Sequence, residues 1–153
     1  MFIIIRMKET KFRYIENRKA KHNYYFIDEY TAGISLIGSE VKSIRASWVD
    51  LSESYCIFNK SGELILKNCY IYKYNNIVYT REENIDRKLL LTKKELKKLK
   101  KDSERTGYTI IPIAIIVNNP GFIKFKIALC KGKHEYDKRE TIKKRDLERE
   151  NKN

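Results

Sequence analysis

Residues 108–129 read YTIIPIAIIVNNPGFIKFKIAL, and the pattern of this stretch decides the fold class. Two apolar runs, residues 108–117 and 122–129, flank Asn118-Asn119-Pro120-Gly121, a turn signal between two strands. In the second run Ile123, Phe125, Ile127 and Leu129 share one face and Lys124 and Lys126 the other, because successive side chains of a strand alternate. One side of this strand enters a core and the other offers cations.

The same hairpin grammar recurs upstream. Residues 54–58 and 63–67 flank Asn59-Lys60-Ser61-Gly62, with glycine where a positive φ is wanted. Residues 69–72 predict a further strand, and residues 23–27 and 32–37 predict two paired strands parted by Asp28-Glu29. Residues 73–85 are polar and tyrosine-rich without a period, which predicts a long loop. Two helices interrupt the strands. The segment EVKSIRAS after Gly38-Ser39 predicts a short helix capped by Ser39, with Val41 and Ile44 on a shared face and Lys42, Ser43 and Arg45 on the others. Thr92-Lys93-Lys94-Glu95 fits a capping box that opens the second helix, and Gly107 stops it. Its stripe of Leu96 and Leu99 is narrow, set among Lys93, Lys94, Lys97, Lys98, Lys100 and Lys101. About six short strands joined by tight turns predict a mainly β fold with short helices, closed or partly closed as a barrel, and disfavour parallel βαβ units.

Residues 131–153 change character. They hold nine Lys or Arg and six Asp or Glu, and their sizeable apolar side chains, Tyr136, Ile142 and Leu147, do not line one helical face. Such a segment cannot bury itself and is expected to be disordered when free and to fold on a partner. The expected organisation is an N-terminal extension over residues 1–16, a barrel over 17–130 and a basic tail over 131–153. The opening MFIIIRMKET has too short an apolar run for a signal peptide or a membrane span, and Met7 is a second candidate start.

Charge narrows the function. Lys plus Arg number 33 against 20 Asp plus Glu, a net +13, and self-repulsion of that size answers to a polyanion: nucleic acid first, an anionic membrane second, with solubility or AT-rich coding as bland alternatives. Cys56, Cys69 and Cys130 are far apart and lack zinc-ligand spacing, so they read as small buried thiols in a reducing compartment. His22 and His134 have no nucleophile or carboxylate pair beside them, and no phosphate loop, GxGxxG or HExxH occurs. The sequence therefore predicts neither a catalytic nor a metal site and calls for no cofactor. Basic segments at Arg18 to Lys21, at Lys93 to Lys101 and in the tail, with Asn17, His22, Tyr24 and Tyr136 among them, suit a structured RNA. Each has a plainer reading: a solvated helix face for the Lys93 run, half-buried packing for the tyrosines, a surface position for His22.

At this point ordered motifs become recognisable. They are NRKAKH at 17–22 with YFI at 25–27 and AGI at 32–34, GSEVKSIRA at 38–46, and LSESY at 51–55. RKLLL at 87–91, KIAL at 126–129, KGK at 131–133, YDKR at 136–139 and IKKRDLER at 142–149 follow. The chain resembles the SsrA-binding protein (SmpB) family. That resemblance implies an OB-like closed β-barrel with peripheral helices. It implies binding to the tRNA-like domain of tmRNA, delivery with elongation factor Tu to stalled ribosomes in the bacterial cytoplasm, and a tail in the empty mRNA channel, against small-subunit rRNA near the decoding centre. No membrane partner is implied. Alternatives from other classes are a general OB-type RNA binder and an RNA-processing enzyme.

Matched to the family's motifs, the expected tmRNA contacts are Asn17, Arg18, Lys19, Lys21 and His22, then Glu40, Lys42, Ser43 and Arg45, and finally Lys88, Leu89, Lys124 and Lys126. The expected ribosome-engaging tail residues are Lys131, Lys133, His134, Tyr136, Asp137, Lys138 and Arg139, with Ile142, Lys143, Lys144 and Arg145. One departure stands out: Thr31 occupies a position that is acidic in many members. If that carboxylate orients a neighbouring cation or contacts RNA, Thr31 cannot do so by charge, and Glu29 and Asp28 are the nearby acids that could compensate.

Overall fold

The structure, a computed structural model, describes residues 12–73, 81–118 and 121–133. Among these residues the chain forms strands β1 (Phe12–Glu16), β2 (Tyr24–Ile34), β3 (Val49–Asp50), β4 (Tyr55–Phe58), β5 (Leu64–Lys67), β6 (Tyr70–Ile71), β7 (Arg87–Leu90), β8 (Tyr108–Asn118) and β9 (Ile123–Gly132). Its helices are α1 (Arg18–Asn23), α2 (Gly38–Arg45) and α3 (Lys93–Ser103). The fold is mainly β, as its turn chemistry predicts, and every strand pairing is antiparallel.

The pairings return on themselves. β8 pairs with β4, β4 with β5, β5 with β7, β7 with β2, β2 with β9, and β9 again with β8, which makes a ring; β3 and β6 form a separate two-stranded ribbon. Closing the ring leaves few sheet edges for unwanted pairing. The decisive hairpin is long: β8 and β9 pair from Tyr108–Lys131 to Val117–Ile123. Pro112 is tolerated inside it because a register shift, a bulge, follows immediately. Phe125 and Ile127 fill the ring beside Ile115, Leu64, Leu66, Leu89 and Leu99, all at most 1% exposed. The hairpin between β4 and β5 turns at Gly62, whose φ of +80° explains the glycine.

Several expectations are corrected. The region expected to hold two strands parted by Asp28-Glu29 is one strand, β2, with a register shift between Phe26 and Asp28 that leaves Ile27 outside the ladder and exposed. The acids are tolerated there because Asp28 accepts from the Tyr30 hydroxyl and from Lys98, while Glu29 faces Lys126. Residues 12–16 are not an extension: β1 pairs with β8 from Phe12–Asn118 to Glu16–Ala114. At the other end β9 continues to Gly132, past the expected limit of the barrel at residue 130. The cap of α2 is also different. Ile37, not Ser39, holds the N-cap position, and its N–H donates to the Glu40 carboxylate. The buried side of α2 carries Glu40, Ser43 and Ile44 in place of a Val41–Ile44 stripe. By contrast α3 opens with the expected reciprocal box, Thr92 Oγ1 accepting from Glu95 N–H and Glu95 from Thr92 N–H. The expected 73–85 loop lies outside the described residues over 74–80.

Candidate nucleic-acid interface

A second, smaller core lies on the outer wall of the ring. Ile111, Ile113, Ala128 and Cys130 cluster there with Ala20 of α1, and Tyr24, Phe26 and Tyr55 pack against them. This cluster explains why α1 exists. A six-residue helix has little stability of its own and is held by packing and by its cap. The cap is Asn17. Its side-chain oxygen accepts from Ala20 N–H at 3.1 Å, and its amide donates to Leu51 O at 3.1 Å and Pro112 O at 2.8 Å. Asn17 N–H also donates to Ile113 O, so the residue fills the break along β8 between β4 and β1. Expected as an RNA contact, Asn17 is 5% exposed and joins three elements of the fold.

With Ala20 turned inward, Arg18, Lys19, Lys21 and His22 of α1 are exposed. Lys19 pairs with Glu53, and that hydrogen bond holds its ammonium pKa above the usual lysine value. Among the described residues Arg18, Lys21 and His22 have no carboxylate partner.

The register places further cations beside α1. Across the outer face, Thr31 of β2 lies opposite Lys126 of β9, Lys126 opposite Ala114 of β8, and Ala114 opposite Glu16 of β1. The next row runs from Lys124 through Ile116 to Tyr14. A groove of about 390 Å³ runs along this face, lined by Tyr14, Lys21, Phe26, Glu29 and Lys126. Tyr14 is 56% exposed, an aromatic ring in a groove whose charged lining is Lys21 and Lys126 with Glu16 and Glu29, and it is suited to stacking on an unpaired base. Thr31 itself brings no charge to this row. Glu29 and Lys126 form an ion pair at 3.4 Å, so β2 still presents a carboxylate to Lys126, from the position two residues before Thr31.

The remaining expected contacts divide. Glu40, Ser43 and Leu89 are buried, and direct contact with a ligand is not what their side chains are placed for. Leu89 fills the ring, Ser43 Oγ donates to Ser39 O, and Glu40 is held by Arg81 and Arg87. Burial alone would push the Glu40 carboxyl up, but the hydrogen bonds from the two arginines outweigh it and hold the group below its ordinary value. Lys42, Arg45 and Lys88 are exposed, Lys88 against Glu63 on the β5–β7 side of the ring, away from the groove. Arg45 lies over the β8–β9 turn at Gly121, where any side chain would strike its guanidinium and where φ is +137°. Arg13 donates to the last carbonyls of α2, Ile44 O and Arg45 O, tying β1 to the same corner. At the other end of β9, Lys131 stands 5.8 Å from the centre of the Tyr108 ring. Lys133 stands 5.2 Å from that of Tyr25 and donates to Lys21 O at 3.2 Å. The other tail residues, His134, Tyr136, Asp137, Lys138, Arg139, Ile142, Lys143, Lys144 and Arg145, lie outside the described residues.

Sequence reasoning misses Tyr14, Phe26 and Arg87. Tyr14 falls in the expected extension; FRYIE over residues 12–16 mixes apolar and charged side chains on both faces, so only its aromatic and β-branched content hints at a strand. Arg87 stands out in the sequence only as part of a motif. It is fully enclosed, donating to Glu40, Cys69 O, Glu83 O and Ile85 O.

Other chemistry finds little support in the arrangement. Burial pushes the Cys69 and Cys130 thiols up to about 12 and raises that of Cys56 as well, which disfavours thiolate nucleophiles. Among the described residues no group of three His, Cys, Asp or Glu is placed to hold a metal ion, and no helix is long and apolar enough to cross a membrane.

Comparison with known proteins agrees with the motifs. A family model described as "SmpB protein" matches residues 14–153. The chain is similar to the SsrA-binding protein of Christiangramia forsetii, 46% identical over 136 residues that cover 88% of this chain and 86% of that one. It is 46% identical over 149 residues to the SsrA-binding protein of Phocaeicola vulgatus, covering 94% and 95% of the two chains. A solved structure described as "tmRNA-SmpB: a journey to the center of the bacterial ribosome" superposes with a TM-score of 0.67 and 42% identity, over 78% of this chain and 84% of that one.

Proposed function

The chain belongs to the SmpB protein family, and from that premise we propose that it binds the tRNA-like domain of tmRNA and brings it to stalled ribosomes for trans-translation. In this reading the ring of strands is an OB-like platform, and the bacterial cytoplasm is its compartment. Elongation factor Tu joins through the RNA, and the protein contributes binding without a chemical step of its own. The tail, which follows β9 and the packed residue Lys133, engages small-subunit rRNA at the decoding centre and the empty mRNA channel. The names of the relatives and of the matched structure support tmRNA and the ribosome as partners.

The observation that carries the reading is the outer face of β8 and β9. There Lys124 and Lys126 alternate with core residues, α1 brings Lys21 alongside and carries the exposed His22 next to it in sequence, and Tyr14 offers a ring. Cations hold phosphates without sequence preference, while an exposed ring and a histidine can read unpaired bases of a folded loop. The test is affinity for the isolated tRNA-like domain. Replacing Lys124 and Lys126 together by Ala should weaken binding at least about tenfold and flatten the salt dependence by roughly 0.7–0.9 for each phosphate no longer neutralised. Unchanged affinity and slope would move the interface off this face. The division of labour is tested separately. Asp137→Ala, Lys138→Ala and Arg139→Ala combined should leave that affinity intact and abolish tagging on stalled ribosomes; a large loss of affinity would unite the two surfaces.

A further inference from the structure

Helix α3 carries a dense run of cations that the proposed tmRNA face does not use. At 100° per residue, Leu96 and Leu99 fall on the arc turned to the ring with Glu95, Asp102 and Ser103. Lys93, Lys94, Lys97, Lys98, Lys100 and Lys101 fill an opposite arc of about 160°. Burial follows the same division: Leu99 is fully buried, Leu96 is half-buried, and all six lysines are exposed.

The nearest acids do not neutralise the arc. Glu95 is held by the Thr92 cap, and Asp102 lies on the inward side. Among the described residues only Lys98 of the six has an ion pair, with Asp28 at 3.2 Å. Like charges three and four residues apart repel along a helix. The fold therefore holds α3 against its own charge through Leu99 and the cap, and an external polyanion would relieve that repulsion.

Placement separates this arc from the groove. α3 packs through its leucines on the interior cluster with Phe125 and Ile127, whereas Lys124 and Lys126 point outward from the same strand. We propose that the lysine arc of α3 is a second RNA-binding surface, which takes the phosphate backbone of a duplex RNA other than the tRNA-like domain. This deepens the functional reading above, since that reading brings the chain against a large folded RNA. A rigid helix with cations spread along about 12 Å from Lys93 to Lys101 suits a row of phosphates. A membrane surface fits less well, because the arc has no apolar side chain to enter the hydrocarbon boundary.

The experiment uses the full chain with Lys93→Gln, Lys97→Gln and Lys101→Gln combined. Gln has nearly the helix propensity of Lys, so the variant should melt no lower than the parent. Binding is titrated at several salt concentrations against a blunt RNA duplex of unrelated sequence, the isolated tRNA-like domain, and phosphatidylserine vesicles. The variant should lose tenfold or more toward the duplex, with a salt slope shallower by roughly two to three, and should stay within about twofold of the parent toward the tRNA-like domain. Absent or unchanged duplex binding overturns the proposal. An equal loss toward the tRNA-like domain assigns α3 to the tmRNA face and also overturns it, and a loss confined to the vesicles makes the arc a membrane surface instead. If the parent chain itself fails to bind the tRNA-like domain, the functional reading falls while the duplex titration still decides α3.

Discussion

Arg87 grips Glu40 through two donors on one carboxylate oxygen, Nε at 3.0 Å and Nη2 at 2.6 Å from Oε2, with the arginine side chain fully buried and the glutamate 6% exposed. The pair joins β7 to α2, elements 47 positions apart in sequence. The other oxygen of Glu40 accepts from Arg81 and from Ile37 N–H. Arg87 in turn satisfies the carbonyls of Cys69, Glu83 and Ile85. A charge expected to touch RNA is thus a device that orients α2, and with it the exposed Lys42 and Arg45.

Breaking this pair from one side should be costly, because it strands a buried charge. Arg87→Met should lower unfolding stability by about 3–5 kcal/mol in urea titration, with the slope of the transition unchanged. A loss below about 1 kcal/mol would show that Arg81 alone suffices for Glu40.

The same network gives the protein an acid sensitivity of definite sign. Burial raises the Glu40 carboxyl, and the hydrogen bonds from Arg81 and Arg87 more than reverse that, so its folded pKa lies below the unfolded value of 4.5. A group depressed on folding contributes stability that is complete above its unfolded pKa and is lost as pH falls through its folded one. Wild-type stability should therefore fall as pH drops through and below the unfolded value, and Glu40→Gln, weaker at the start, should lose less over the same interval. Equal losses in the two proteins would remove Glu40 from the acid transition.

How far the fold was legible depended on whether the signal was local. The β4–β5 and β8–β9 hairpins and the α3 capping box are written in adjacent residues, and all three form as expected. What failed was decided by partners distant in sequence. β1 is a strand because β8 offers it an edge about 100 positions later, and β2 stays whole because a bulge at Ile27 and counter-charges from Lys98 and Lys126 accommodate its acids. The site divided in the same way. Lys124 and Lys126 follow from strand alternation, whereas the burial of Asn17, Glu40 and Leu89 depends on the closure of the ring. A motif marks such residues as necessary without saying whether they touch a ligand or hold what does.

The Glu29–Lys126 pair makes a prediction about affinity. Both side chains are more than a third exposed, so the pair contributes at most about 1 kcal/mol to stability. The carboxylate also competes with phosphate for the ammonium. Glu29→Gln should leave the melting temperature nearly unchanged and tighten binding to the tRNA-like domain by about two- to threefold at low salt, the gain shrinking as salt rises. Weaker binding would instead show that Glu29 orients Lys126 toward the RNA.

Asn17 and His22 stand five residues apart and should fail in different ways. Asn17→Ala removes the cap of α1 and leaves Leu51 O and Pro112 O without their donor, which should cost about 2–4 kcal/mol. Its loss of RNA affinity should follow from a loosened α1, and should be largely recovered by assaying well below the melting transition. His22 is exposed on the last turn of that helix, so His22→Ala should stay within about 0.5 kcal/mol of the parent in stability while binding the tRNA-like domain more weakly at every temperature. Thermal melts and binding isotherms measured on the same samples separate the two cases. If Asn17→Ala melted like the parent and still bound poorly, Asn17 would touch RNA after all, and the groove beside Lys21 would have to open on binding to admit RNA to it.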